Sequence, residues 1–248
     1  MTDIALEASN IQKSYGGLKV LTDISVSIRR GERHGIIGAN GAGKTTFFNI
    51  LSGFVAPNAG TVRLNGADVT TMPPFQRARR GLGRTFQIVA LLDELTVLEN
   101  VVVGLSSSRR LEQRRYLRSL THHTELRMEA KTLLEQGGLL ELRNHQVASI
   151  SYGHKRMLEI VMALTNKTNV LLLDEPAAGL SASETLRLME LLRSLGPTLT
   201  MVLIEHDMEV MFGTVDRITV FDRGTVLTHG TVEEVRQDPR VHERYLGN

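Results

Sequence analysis

The stretch from Gly35 to Thr46, Gly-Ile-Ile-Gly-Ala-Asn-Gly-Ala-Gly-Lys-Thr-Thr, constrains this chain more than any other. An apolar pair, Ile36 and Ile37, leads into Gly38-Ala39-Asn40-Gly41-Ala42-Gly43-Lys44-Thr45, which fills every fixed position of the pattern G-x-x-x-x-G-K-[ST]. The apolar segment Phe47 to Leu51 follows at once and predicts a helix. Strand, loop and helix in that order are what the pattern needs to carry meaning. Glycines at 38, 41 and 43 let the backbone turn tightly and approach a ligand closely. Successive N–H groups of the loop, with those of Thr45 and Thr46, then converge on an anion at the positive end of a helix dipole. Lys44 is expected to reach the β- and γ-phosphates and the Thr45 hydroxyl to hold Mg²⁺. The stretch predicts a nucleoside triphosphate site.

The rest of the composition sets bounds. At 248 residues the chain has room for one large domain or two small ones, with a self-sufficient core. Its net charge of +2 gives no global argument for nucleic acid. With no cysteine there are no disulfides and no thiolate chemistry, which fits an intracellular setting. The opening Met1-Thr2-Asp3-Ile4 has neither a basic region nor an apolar run of signal-peptide type, and no apolar run reaches the ~18 residues of a spanning helix. Any membrane role is expected to work through partners.

Along the chain, Ile4 to Ala8 and Ile24 to Ile28 read as strands, joined through a turn at Ser14-Tyr15-Gly16-Gly17. From the residues alone, Tyr15 either stacks on a purine or plugs a sheet edge, and the second is favoured. After the loop helix, Pro57 to Gly60 predicts a turn and Thr61 to Leu64 a strand. Thr71 with Pro73 and Pro74 opens a short basic helix ending at Gly81, and Leu82 to Gln87 returns to extended structure. Residues 88–168 change character to helix, with a capping box at Thr96 and Glu99. Arg109, Arg110, Arg114, Arg115 and Arg118 read as a solvated helix face rather than a lipid or nucleic-acid surface, and His122-His123 lack the partners of a metal site. Beyond 168 the alternation is α/β again. Strands are expected at Val170 to Asp174 and Leu199 to Ile204, and a hairpin turns at Asp222-Arg223-Gly224. Capping boxes at Ser181/Glu184 and Thr231/Glu234, and a start at Asp238-Pro239, predict three helices. The result is an α/β body, residues 1–87 and 169–248, interrupted by a helical insert over 88–168.

A second constellation narrows the class. Four aliphatics deliver Asp174 to a strand end, where its carboxylate can hold the Mg²⁺ water shell. Glu175 follows directly and can polarise an attacking water. Ser151 and Gly153 stand at the head of another apolar helix, Met157 to Leu164, a second anion-binding helix end. Two such ends in one chain make sense if the second serves a nucleotide bound to another subunit.

The order G-x-x-x-x-G-K-T, Gln87, Ser151-Tyr152-Gly153-His154, Leu171-Leu172-Leu173-Asp174-Glu175, His206 resembles the ATP-binding-cassette ATPases over essentially the whole chain. The resemblance implies a P-loop NTPase fold: a mixed β-sheet core, an N-terminal antiparallel portion and an inserted helical subdomain. It implies a dimer in which two cassettes face head to tail and close two ATP molecules between them, with Mg²⁺. Tyr15 then resembles the aromatic that stacks on adenine. Gln87 resembles the glutamine that reaches Mg²⁺ and water and whose loop meets the membrane partner. Ser151 and Gly153 would contact the γ-phosphate across the interface, Asp174 would serve the metal, Glu175 would be the general base, and His206 would position γ-phosphate and water. Gly81 to Gln87, Leu95 to Val101 and the ending Asp238-Pro239-Arg240-Val241…Tyr245-Leu246-Gly247 resemble the branched-chain amino-acid importer subfamily, as does Tyr152. Importers of urea or short amides and a lipopolysaccharide-export ATPase share parts of these strings. The implied partners are a second cassette, the same or different, two integral-membrane permeases and, indirectly, a substrate-binding protein. The implied place is peripheral, on the cytoplasmic face of the inner membrane. Nucleic acid is not expected, since cassettes that act there usually carry tandem domains or coiled-coil insertions. The chain departs from the family pattern at Ile150, at His154, where Gln is usual, and at Ser181, where many cassettes have Asp or Asn. These departures suit a heterodimer in which a second ATPase supplies the other signature.

Overall fold

The computed structural model describes residues 3–85, 91–108 and 124–246. Contacts divide the chain into two compact units. The first comprises residues 1–84, 169–175 and 197–248, and the second residues 85–168 and 176–196.

The first unit holds two sheets. Strands β1 (Ile4–Tyr15) and β2 (Leu18–Arg29) form a long antiparallel hairpin, and β4 (Ala59–Leu64) and β5 (Ala67–Asp68) extend it in the order β2-β1-β4-β5. Both long strands outrun the sequence expectation, because β-bulges break their alternation. The register shifts between Ala8 and Ile11, and Asn10 and Asp23 take left-handed backbone there, tied by Asn10 Nδ2 donating to Asp23 Oδ1 at 2.8 Å. The strand β4 begins inside the expected turn. Its Gly60 (φ +93°) is forced by the bulge, since a Cβ at that position would stand 2.5 Å from the carbonyl oxygens of Ser9 and Asn10.

The other sheet has the order β10-β9-β3-β8-β7-β6. Strands β3 (Arg33–Gly38), β6 (Leu82–Arg84), β7 (Val170–Asp174), β8 (Thr200–Ile204) and β9 (Arg217–Asp222) run parallel, and β10 (Thr225–Thr231) closes one edge antiparallel. The strands β7 and β8 are buried at every residue, as continuous aliphatic strands of a covered parallel sheet should be. Between the sheets' residues a core forms from Ile11, Ile24, Ile36, Phe47, Phe48, Ile50, Val62, Leu172, Val202 and Phe221. It encloses α1 (Lys44–Ser52), whose Phe47 meets Phe221 edge to face with ring centroids 5.2 Å apart. The short α2 (Pro74–Arg79) places Arg77 in full burial, donating to the carbonyls of Ile50, Leu51, Thr70 and Met72. A residue that reads as surface charge in sequence thus caps the C-terminal end of α1, where cations are favoured. Burial lowers its guanidinium pKa to about 10.

The second unit is helical. It contains α3 (Val97–Ser108), α4 (Thr124–Gln136), α5 (Tyr152–Leu164) and α6 (Ala182–Ser194). Thr96 and Glu99 make the expected reciprocal cap on α3: Glu99 Oε2 accepts the Thr96 N–H at 2.8 Å and Thr96 Oγ1 accepts the Glu99 N–H at 3.2 Å. Back in the first unit, α7 (Met208–Thr214) starts on an Asp207 cap, α8 (Val232–Gln237) on the Thr231/Glu234 box and α9 (Pro239–Val241) on Asp238. Among the described residues no helix is long and apolar enough to cross a membrane. The arginines at 109–118, His122-His123 and Gln87 lie outside the described residues.

Candidate functional site

Strand β3 pairs with β8 on one side and β9 on the other, so its C-terminal end opens at the middle of the parallel sheet. Ligands of such sheets bind beyond the carboxyl ends of the strands. There the chain leaves Gly38 and wraps through Ala39, Asn40, Gly41 and Ala42 to Gly43. Gly41 (φ +80°) and Gly43 (φ +100°) take left-handed backbone. A Cβ on Gly43 would also meet Leu21 at 2.5 Å, so β2 closes the back of the loop while Gly41 faces open space.

The helix that follows starts without a side-chain cap and with no acidic residue in its first turn. The first N–H groups of a helix have no intrahelical acceptor. Here the cap residue is a glycine with no side chain to supply one, which leaves the positive end of the dipole suited to an external anion. Lys44 turns back into the loop: its ammonium donates to Gly38 O at 2.5 Å and Ala39 O at 3.0 Å. Burial pushes its pKa down, while the nearby Glu175 and Asp174 carboxylates push it up. The loop is therefore a cradle with a cation inside it. Its shape and charge fit a triphosphate.

Next to β3 in the sheet lies β8, and beyond it β7; their ends bring the acidic groups. Asp174 pairs with Ile204 in register, so the ends of the two strands stand level. The Asp174 carboxylate is buried; burial raises its pKa, against the lowering effect of Arg84, whose Nη2 lies 3.2 Å from Oδ2. Thr45 at the head of α1 is exposed. One carboxylate and one hydroxyl suit Mg²⁺, which takes few protein ligands and relies on substrate phosphates for the rest.

Glu175 follows in left-handed backbone (φ +48°), with its N–H donating to Ile204 O at 2.9 Å. A non-glycine residue in that region is costly and marks a position held by its surroundings. The turn aims the side chain so that Oε1 lies 2.9 Å from His206 Nε2. His206 stands two residues past the end of β8, its N–H accepted by the Glu205 carboxylate at 3.1 Å. Asn40 to Thr46, Glu175, His206 and Val20 line one open cleft of about 330 Å³. The structure thus brings the loop, Glu175 and His206 to one cleft, with Asp174 near Lys44 but outside the cleft lining. Tyr15 lies outside that lining, half exposed at the end of β1, with Lys13 Nζ 5.1 Å from its ring centre.

Arg84 belongs to this neighbourhood although its sequence position gave no chemical signal. Its guanidinium donates to Asn49 Oδ1 at 2.7 Å and Ser52 Oγ at 2.6 Å on α1 as well as facing Asp174, and its Cζ lies 5.6 Å from the Phe54 ring centre. It fastens the loop helix to the end of β7.

In the second unit Ser151 caps α5, accepting the His154 N–H at 3.2 Å. Gly153 sits in the first turn and is buried. Tyr152 OH donates to Ala178 O at 3.4 Å, tying α5 to the segment before α6.

The chain matches a family model described as ABC transporter over residues 21–178. It is 41% identical to the high-affinity branched-chain amino acid transport ATP-binding protein LivG of Salmonella typhimurium, over 100% of this chain and 99% of that protein. To the corresponding BraF protein of Pseudomonas aeruginosa it is 36% identical, over 98% and 97% of the two chains. Among solved structures it superposes on an ATP-binding cassette of an ABC transporter in its ADP conformation with a TM-score of 0.86, at 29% identity and 99% coverage of both chains. A dimeric cassette in a post-hydrolysis state bound to ADP and Pi matches with a TM-score of 0.76, at 25% identity over 92% of this chain and 98% of that one.

Proposed function

This chain belongs to the ABC transporter family and is an ATP-hydrolysing subunit of it; we propose that it drives an importer of branched-chain amino acids. The observation that carries the catalytic reading is Glu175, held in left-handed backbone with its carboxylate on His206 and facing the phosphate loop. The N–H groups of residues 38–46 and the Lys44 ammonium hold the β- and γ-phosphates. Thr45 and Asp174, with Gln87, would hold Mg²⁺, which when bound would neutralise charge on the phosphate oxygens. Glu175 takes a proton from water as the water oxygen bonds to the γ-phosphorus and the bond to the ADP oxygen breaks. His206 fixes the position of Glu175 and the water, and Tyr15 packs on the adenine. Residues 88–168 form the helical subdomain, whose Ser151 and Gly153 complete the site of a second cassette, like or unlike this one, in a head-to-tail dimer.

The cargo reading rests on relatives that carry branched-chain amino-acid transport in their names and align from end to end with this chain. In it, two integral-membrane permeases receive the motion at the inner face of the membrane, and a substrate-binding protein delivers cargo to them. Cells carrying Lys44→Ala in place of the native chain should lose uptake of labelled leucine, isoleucine and valine. Full uptake of these three with loss of urea or short-amide uptake, or of lipopolysaccharide export, would overturn the cargo. Purification of the tagged chain with nucleic acid or ribosomes in place of permeases would overturn the transport role.

A further inference from the structure

The donors that a phosphate would need at the head of α5 already have an anion. Ser151 Oγ donates to Glu184 Oε1 at 3.3 Å, and the Gly153 N–H donates to the same oxygen at 3.2 Å. Only a glycine allows this approach, since a Cβ on residue 153 would stand 2.4 Å from Oε1. The second oxygen, Oε2, accepts the Ser181 N–H at 3.0 Å and the Ser181 hydroxyl at 2.8 Å. One carboxylate therefore serves two helix N-termini, α5 through Oε1 and α6 through Oε2. These donors, the Ser181 N–H first, hold the Glu184 carboxyl below the usual carboxylate range, so its charge is present near neutral pH.

A capping box on α6 needs only Ser181 and Glu184. The reach across 31 to 33 residues of sequence to Gly153 and Ser151 is additional, and it falls on the two donors assigned above to a γ-phosphate. We propose that Glu184 is the resident anion of the α5 N-terminus, which the γ-phosphate of a nucleotide on a second cassette must displace, so that Glu184 sets how much ATP dimer closure requires. This rests on the reading that Ser151 and Gly153 meet that phosphate.

Two anions cannot share one pair of donors without strong repulsion, least of all as water leaves a closing interface. The exchange is feasible because Glu184 stays anchored when Oε1 withdraws: Oε2 keeps Ser181, and α6 keeps its cap. The Ser151 hydroxyl has one proton to give, and His154 Nδ1 lies 3.1 Å from its oxygen as an alternative acceptor to Glu184. The departures from the family pattern at His154 and Ser181 both sit on this network.

The test uses the chain purified with the subunits that accompany it from membranes, with Glu175→Gln to hold turnover. The quantity measured is the ATP concentration for half-maximal nucleotide retention. Glu184→Gln removes the charge and keeps a capping-box side chain at the same position. It should lower the half-maximal ATP concentration about five- to tenfold, the range expected for relief of a competing charge-assisted contact, and leave ADP affinity unchanged. An unchanged or raised ATP requirement overturns the proposal, as does an equal shift for ADP, which has no γ-phosphate. Ser151→Ala separates the two layers. If it weakens ATP retention while Glu184→Gln changes nothing, the role of Glu184 alone fails. If retention ignores Ser151 altogether, the assignment of α5 to phosphate fails and the proposal goes with it.

Discussion

Two helices of this chain, α1 and α5, begin at residues assigned to the same kind of ligand, yet they begin in opposite ways. The head of α1 has a glycine cap, no side-chain acceptor and no acidic residue in its first turn. The head of α5 has a serine cap and a carboxylate lying on its first-turn N–H. The first is left open for a ligand and stabilised from behind, by Arg77 on its last carbonyls and Arg84 on Asn49 and Ser52. The second satisfies itself. The difference suggests a division of labour: an end that binds whenever nucleotide is present, and an end that engages only against internal competition.

The largest effect should come from the residue beside the open end. Glu175→Gln keeps the loop and the shape of the turn but cannot take a proton from water. Turnover should fall about 10²- to 10⁴-fold with ATP binding retained. Hydrolysis within a few-fold of the parent would sink the general-base role, leaving the cradle intact. Lys44→Ala should come next. Losing a charge-assisted phosphate contact weakens ATP binding by roughly ten- to a hundredfold in equilibrium titration. The same change removes a buried ammonium whose partners are loop carbonyls, so the unfolding midpoint should hold or rise. A marked loss of stability would mean that the open end is structural, and would erase the contrast with α5.

Arg77→Met addresses the far end of α1. It leaves the carbonyls of Ile50, Leu51, Thr70 and Met72 without the donor that reaches all four, in a fully buried setting. A cost of about 2–4 kcal/mol in denaturant unfolding is expected. A cost well under 1 kcal/mol would show that water reaches those carbonyls and that the helix is not clamped from behind.

What could be read from the sequence was what is local. The loop pattern, the aliphatic run ending in Asp174-Glu175 and the boxes at Thr96/Glu99, Ser181/Glu184 and Thr231/Glu234 each depend on residues within a few positions, and the fold class followed from their order. The long hairpin reads short in sequence because the bulges at Asn10 and Asp23 interrupt the period-two pattern that signals a strand. Arg77 and Arg84 read as surface or motif residues because nothing in their neighbours announces burial; the partners they find on α1 lie 25 or more residues earlier. The left-handed backbone of Glu175 has no local cue either, since the acceptor of its N–H, Ile204 O, lies 29 residues away. Glu184 was legible as a cap on α6 and illegible as a partner of Ser151, which lies 33 residues away.

The smallest effect tests the closed end directly. Ser151→Ala removes the hydroxyl that accepts the His154 N–H and donates to Glu184. As the loss of a helix N-cap it should cost about 1 kcal/mol in unfolding. It is the counterpart of Lys44→Ala: at the open end a binding group is removed with no expected loss of stability, whereas at the closed end one hydroxyl is proposed to serve both folding and recognition. Ser151→Thr keeps the hydroxyl and should restore most of the stability, since threonine also caps helices. If Thr restores stability but not ATP retention, the two roles of the position separate, and the added methyl crowds the phosphate rather than the cap. If Ser151→Ala costs nothing, the Glu184 carboxylate caps α5 on its own. The closed end would then owe its closure to that one side chain.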